Sequence, residues 1–377
     1  MTRIDAYIAR QFLRSMVIFL VSMTGLYIVI DAFGNLDEFI SYGEVTGSLV
    51  GVLWSYYGAR ALMFFDLTSG LLALISAMFT ITWMQRSREI TALLAAGVSK
   101  WRIAAPTLVL AGLISAAGVA NRECLIPQFR ERLTRNAQDW MGESGKRLQP
   151  RYDNQTDILL AGKHTFAAEQ RIEQPHFRLP SELEFFASQL LAENAYYRPA
   201  SEEHPEGYLL TGVSQPENVA ERKSVVIDGR PILLCPGDQP WLAHDEVFVP
   251  SRLNFMHLTS SSSWRQFSST PELISGMRNP ALDFGPESHV ALHSRLLRPL
   301  LDMTLLMLGL PLVMARQDRN VFVAIGLCLL IVGAFFLVNL AFQAAGSNYL
   351  IRAPLAAWGP LLLFAPAAAW LAESLRK

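Results

Sequence analysis

Apolar runs long enough to cross a bilayer alternate along this chain with short polar stretches, and one long segment of different texture interrupts them. A hydrocarbon core of about 30 Å takes about 20 helical residues. Such runs occupy residues 12–33, 61–84, 103–120, 299–315, 321–343 and 353–371. They predict six transmembrane helices, three on either side of the long segment. The fourth run is short at its outer end, where Leu296 and Leu297 extend it, and tilt or local thinning absorbs the rest.

From Asn121 to about Leu297 the pattern changes to short alternating apolar runs between Pro, Asn, Gly and Ser, as in a set of short strands. Residues 224–234 are the clearest hairpin, because Asp228-Gly229 can supply the positive φ angles of a tight primed turn. Pro231 places that pair at a sheet edge. Residues 208–213, 246–249, 157–160 and 165–168 are further strand candidates, and a sandwich or jelly roll suits a segment of this size. Thr270-Pro271-Glu272 has the cap, first-turn proline and acidic residue of a short helix ending near Met277. The serines at 260–263 read as a linker, with Trp264 able to dip to the headgroups. The expected organisation is therefore 1–121 with three spans, 122–297 as an inserted all-β domain, and 298–377 with three more spans.

Between the second and third runs lies a charged-then-apolar stretch, 85–102, that reads as a brief helix at a membrane face. Ser87 can cap its start, Glu89 sits in the first turn where the helix dipole favours an anion, and Lys100 follows the end. Gly97 is placed as the left-handed residue after the last turn, with Leu93 and Val98 available for the accompanying apolar contact. Ser99 can then start the next helix. Ile90, Leu93, Leu94 and Gly97 follow the i, i+3, i+4, i+7 rule, which offers a narrow apolar stripe to a groove on a partner outside the bilayer. A helix lying in the headgroups to anchor two spans fits the same pattern.

Composition agrees with a membrane protein: 51% of residues are hydrophobic and 17% charged, against about 25% charged in an average soluble domain. Basic residues in short loops are retained on the cytoplasmic side. With both termini inside, the cytoplasmic pieces hold Arg3, Arg10, Arg14, Arg86, Arg88, Lys100, Arg102, Arg316, Arg319, Arg376 and Lys377, and the short outer loops hold only Arg60 and Arg352. The long segment then lies outside. Arg3, Arg10 and Arg14 before an apolar run, with Ala32 and Gly34 at cleavage-like spacing, also fit a secretory signal. That run exceeds the usual signal core of about 7 to 15 residues, and its removal would set the remaining spans against the charge bias.

Little else carries chemistry. Cys124, Cys235 and Cys328 are too dispersed for a disulfide framework or a metal site. The seven histidines are scattered along the chain, and no phosphate loop occurs: Gly162-Lys163-His164-Thr165 echoes one, but Asp157 stands where its first glycine belongs. No cofactor and no nucleic acid is expected on this chain, and ATP, if used, binds another.

Several strings resemble the LptF/LptG family, the permease subunits of the lipopolysaccharide-export ABC transporter. They are the stretch 88–99 and Asn121-Arg-Glu-Cys-Leu-Ile-Pro127 in the first half, then His293-Ser-Arg-Leu-Leu-Arg-Pro-Leu300, Leu308-Gly-Leu-Pro-Leu312 and Ala353-Pro-Leu-Ala-Ala-Trp-Gly-Pro360 in the second. The resemblance implies six spans in a three-plus-three arrangement around a periplasmic β-jelly roll, in the bacterial inner membrane. It also implies a half-transporter that pairs with a second permease and is driven by a cytoplasmic ATPase dimer, which would hold ATP and Mg. Such a transporter extracts lipid and passes it to a periplasmic jelly-roll bridge protein. The helix between spans two and three would be the coupling helix seated in the ATPase, with Arg88 and Glu89 at its charged end followed by Ile90, Leu93, Leu94 and Gly97. Lateral gates would involve residues 16–31 and 321–343.

One departure from the family is acidic: Asp31, Asp37 and Glu38 stand at the outer end of the first span, where relatives often carry bases. Asp66 and Asp302 also fall near outer ends, where a charge costs less than the roughly 2.5 to 3.5 kcal/mol of the bilayer centre. These acids either face headgroup water or pair around an outer vestibule. In the second case Asp31, Asp66 and Asp302 meet Arg60, Arg122, Arg295 or Arg298, leaving a spare cation for an anionic lipid. Asn339 and Gln343 in the fifth span suit hydrogen bonds to a neighbouring helix, for roughly 0.6 to 2 kcal/mol, or a role in the gate. Pro311 is expected to bend the fourth span. A membrane-embedded enzyme lacks a suitable constellation of residues. A non-transporting sensor or assembly subunit that uses the external domain as a binding module shares every hydropathy feature.

Overall fold

The computed structural model describes residues 3–139, 145–202, 204–227, 229–259, 261–282, 284–314, 321–373 and 375. The chain divides into two compact units, Met1–Phe129 with Gly285–Lys377, and Arg130–Phe284. The first unit begins with helices α1 (Arg3–Gly34), α2 (Leu36–Thr46), α3 (Leu49–Arg86), α4 (Glu89–Ala95) and α5 (Lys100–Ala120). Among its described residues the second holds twelve short strands with helices α6 (Arg130–Thr134), α7 (Phe255–Thr259), α8 (Ser261–Phe267) and α9 (Thr270–Met277). The chain then completes the first unit as α10 (Gly285–Met314), α11 (Val321–Ser347) and α12 (Ala353–Glu373).

Among the described residues, six helices are long and apolar enough to cross a membrane. They overrun the apolar runs: α3 begins at Leu49 rather than 61 and α10 at Gly285 rather than 299. Once a helix is nucleated each further residue adds a hydrogen bond, so polar outer turns continue the rod. Arg316, Arg319, Arg376 and Lys377, together with Ala315 at the end of the fourth run, lie outside the described residues. The core of this unit is one apolar cluster reaching from Ile8 and Phe12 on α1 through Ala77, Ile81 and Met84 on α3 and Ile103 on α5 to Leu310 on α10. Packing is uneven among the helices. Of the most apolar stretch of each span, 44% is buried in α3 and 56% in α10, but 6% in α1 and 11% in α11. The two poorly buried helices therefore present most of their apolar surface outward.

Helix α2 was not anticipated from the hydropathy pattern. Asn35 precedes it, Asp37 and Glu38 occupy its first turn, and Gly47 ends it at φ +75°. Its one buried residue, Phe39, packs edge-on against Tyr56 at 4.9 Å and tilted against Tyr57 at 5.8 Å.

In the second unit every strand pairing is antiparallel. A six-stranded sheet runs in the order β1 (Lys146–Arg147), β4 (His164–Phe166), β5 (Arg171–Glu173), β8 (Asn194–Arg198), β9 (Gly207–Thr211) and β12 (Val247–Pro250); a four-stranded sheet runs β2 (Arg151–Asp153), β3 (Ile158–Leu160), β6 (His176–Arg178) and β7 (Gln189–Leu191); and β10 (Val225–Ile227) pairs with β11 (Arg230–Leu233). Both larger sheets point alternate side chains into one core: Ile158 and Leu160 (β3), Phe177 (β6) and Leu190 (β7) from one sheet meet Ile172 (β5), Tyr208 and Leu210 (β9) and Val247 (β12) from the other. The β10–β11 hairpin carries a register shift next to Val225 and has Gly229 at φ +75° in its turn; Asp228 and Ser260 lie outside the described residues. Helix α9 starts one residue earlier in its cap than expected. Ser269, not Thr270, accepts from the Glu272 amide while the Glu272 side chain takes the Ser269 amide, a reciprocal capping box. Trp264 is a buried core residue against His257 and Phe284 within this unit, not a headgroup anchor.

Candidate functional site

The turn between the second and third spans is built as a closed unit. Helix α3 ends at Arg86, and the one Ser87 hydroxyl proton is shared between the Trp83 carbonyl (2.9 Å) and Glu89 Oε1 (2.9 Å). Ser87 is thus not the N-cap of α4. That position is Arg88, in the left-handed region at φ +59° and without a side-chain cap bond, a conformation that costs a non-glycine residue roughly 1 to 2 kcal/mol. The far end agrees with expectation. Gly97 sits at φ +81°, its amide donates to Leu94 and the Val98 amide to Leu93, both at 3.0 Å, which is the paired ending that a left-handed glycine permits. Ser99 caps α5. Gln85 Nε2 donates to the Val313 carbonyl at 2.9 Å, fixing the end of α3 to the end of α10.

The apolar stripe does not face outward. Ile90 is 3% exposed, and Leu93, Leu94 and Val98 pack against the same cluster. That stripe is consumed by the helix's own unit because buried apolar area at the root of three spans is worth more there than in water. What α4 exposes is the opposite face, Arg88, Thr91, Ala92 and Ala95, continued by Ala96 and Gly97. These first four residues repeat the i, i+3, i+4, i+7 spacing, and after Arg88 the side chains are small enough to admit another surface.

A second site lies where α3, α5 and α10 meet. Past Ala120 the helix widens into a π-turn, Asn121–Leu125, and Asn121 Nδ2 donates to the Leu62 carbonyl at 2.9 Å. The extra residue of a π-turn rotates the side chains beyond it about the helix axis. Arg122 there reaches Asp66 (Nη2 to Oδ2, 2.6 Å), and Arg298 reaches the same oxygen (Nη1, 3.3 Å) while also donating to the Asp66 carbonyl. Asp302, one turn on from Arg298, accepts from the Ser115 hydroxyl at 3.1 Å. It lies so close to Gly70 that a methyl group there would overlap its carboxylate. The space these residues enclose, with Ser69 and Gly118, is about 10 Å³, at the lower limit for one water. Two carboxylates and two guanidiniums thus form a tight, largely buried cluster rather than a wide vestibule. Arg295 stands within electrostatic reach of Asp66, Arg122 and Glu123.

Asp31 and Arg60 belong to a different group. Tyr57 donates to Asp31 Oδ2 at 2.8 Å, and the Arg60 guanidinium lies 3.5 Å from the centre of the Tyr56 ring, with Tyr27 and Phe64 stacked alongside. Asp66 is six residues beyond Arg60, about 120° round an α-helix at 100° per residue, so the two cannot share a partner. Asn339 and Gln343 are half-buried on α11, and among the described residues neither side chain makes a hydrogen bond to a neighbouring helix. Among the described residues, too, no three His, Cys, Asp or Glu side chains are arranged to hold a metal ion.

A family model described as the lipopolysaccharide export system permease LptF/LptG matches residues 6–157 and 248–374. These stretches include α4 and every member of the Asp66 cluster. No curated protein matches the chain.

Proposed function

The chain belongs to the LptF/LptG family of lipopolysaccharide export permeases, a multi-pass inner-membrane protein and not itself an enzyme, and from that premise we propose that it works as one half of an ABC transporter. In this reading its six spans form a three-plus-three set around a periplasmic jelly roll, with both termini in the cytoplasm. A second permease completes the pair, a cytoplasmic ATPase dimer supplies ATP hydrolysis with its Mg, and the β unit hands lipid to a periplasmic bridge protein of similar fold.

The observation that carries the reading is the construction of α4. A seven-residue helix is stopped at both ends by left-handed residues, is anchored by Ile90, and presents a narrow face of small side chains. A groove on a motor subunit can seat such a face, and the buried side passes the load to α1, α3 and α5, which share its core. A coupling helix can transmit only as much bias as its contacts with the motor differ between two conformations. The low burial of α1 and α11 supports placing the lateral gates there, since helices that must part from a partner keep their apolar faces outside their own core.

The test is purification in mild detergent and then native mass spectrometry. A transporter half brings an ATPase and a second permease with it, and Ala92→Trp or Ala95→Trp removes the ATPase while the permease pair and its melting temperature stay as they were. A chain that arrives alone, or an ATPase indifferent to both tryptophans, rejects the reading in favour of a sensor or assembly subunit.

A further inference from the structure

Glu89 is held twice within its own chain. Its Oε1 accepts from the Ser87 hydroxyl at 2.9 Å and from the Tyr7 hydroxyl on α1 at 3.2 Å. Ser87 directly follows the last turn of α3 and shares the same hydroxyl proton with the Trp83 carbonyl there. One carboxylate oxygen therefore joins the end of α3, the start of α4 and the first turns of α1. Apolar packing runs parallel to this bond. Ile8 and Phe12, flanking Tyr7 on α1 and fully buried, share a cluster with Ile90, with Ile4, Leu93 and Leu94 packed against it. All the buried residues of α1, namely Ile8, Ala9, Phe12, Ser15 and Met16, lie in its first half. The beginning of α1 is thus the part seated in protein, and the part beside α4.

We infer that Tyr7 is a positioning residue which, by holding Glu89, makes α4 and the first half of α1 move as one piece. The inference rests on the reading of α4 as the part a motor grips. An apolar contact lets two helices slide, because it is non-directional; a hydrogen bond to a charged acceptor prescribes distance and angle. A push on α4 is then delivered to the base of α1, whose apolar remainder has little buried packing to resist it. Without the Tyr7 hydroxyl the same push is partly lost as slip, and ATP is hydrolysed with less lipid moved.

The experiment uses the complete complex in proteoliposomes, with lipopolysaccharide as the probe, and reads both ATP hydrolysed and lipopolysaccharide extracted. Tyr7→Phe keeps the ring and removes only the donor. The expected result is unchanged assembly, ATPase activity near that of the unaltered complex, and roughly two- to ten-fold less lipid extracted per ATP, the range that one net hydrogen bond allows. Ser87→Ala, which removes the second hydroxyl on the same oxygen, is expected to shift the ratio in the same direction. An unchanged ratio in Tyr7→Phe overturns the inference. A parallel fall in assembly, melting temperature and both activities also overturns it, since that assigns Tyr7 to folding alone. If the unaltered preparation contains no ATPase, the reading of the chain as a transporter half fails instead, whatever Tyr7 does.

Discussion

Asp66 carries two guanidiniums on one carboxylate, in a space with room for no more than about one water. Removing one side of a buried ion pair leaves the other charge uncompensated, which costs about 3 to 5 kcal/mol. Asp66→Ala should therefore lower the melting temperature of the solubilised protein sharply, and adding Arg122→Met should restore part of the loss, as thermal unfolding of both variants would reveal. A second residue, in the β-rich unit, is sensitive to acid. His257 is 7% exposed, is packed edge-on to Trp264 at 4.5 Å, and neither of its ring nitrogens has a hydrogen-bond partner among the described residues. Burial, helped by the nearby Arg130 cation, pushes its imidazole down from 6.5 to about 4. The fold prefers the neutral ring, so the contribution of His257 to stability is fully present above about pH 6.5 and is lost progressively as pH falls toward 4, by up to about 3 kcal/mol. Denaturation midpoints measured at pH 7.5 and pH 5 should differ less in His257→Phe than in the unaltered protein. The acids and bases of the Asp66 cluster were visible in the sequence only as part of a larger set that included Asp31 and Arg60, which the structure places with Tyr57 and Tyr56. Which acid meets which base was not, because that depends on the azimuth of each residue round its helix and on a π-turn at 121–125 that no residue pattern announces.

At the scale of elements, periodicity identified the apolar side of α4 but not what covers it. Four residues at helical spacing look the same whether they face a partner or their own core, and here Ile90 faces the core. Ile90→Ala should then destabilise the permease itself by about 2 to 5 kcal/mol, the usual range for emptying such a site, measured on the chain without any ATPase present. Were the stripe a docking surface, the same change would leave the isolated chain untouched. The close of α4 and the start of α5 were legible because a left-handed glycine and a serine cap act through their nearest neighbours in sequence, whereas the start of α4 was not, since Arg88 and not Ser87 stands at its cap. Helix α2 was not, because only Phe39 is buried, and a single apolar anchor produces no periodic signal. The strands at 158–160, 164–166, 207–211 and 247–250 coincide with short apolar runs. Their order across two sheets was hidden, since pairing partners far apart in sequence leave no mark on local composition.

For the whole molecule, the six spans are legible in hydropathy, and the positions of Lys and Arg in short loops are what the proposed direction of insertion rests on. In a background lacking Cys124, Cys235 and Cys328, cysteines at Ser87 and Lys100 should react with a membrane-impermeant reagent only from the cytoplasmic side, and one at Arg352 only from the periplasmic side. Reaction of all three from one side would invert or break the assigned topology. The gathering of Asp66 and Asp302 beside Arg122 and Arg298 has a further, electrical consequence. Two formal negative and two formal positive charges on three helices sum to zero, and displacing a neutral block through an electric field takes no net work, whereas each uncancelled elementary charge would exchange about 2.3 kcal/mol per 100 mV. However far α3, α5 and α10 travel together during a cycle, these four side chains leave that journey independent of membrane voltage.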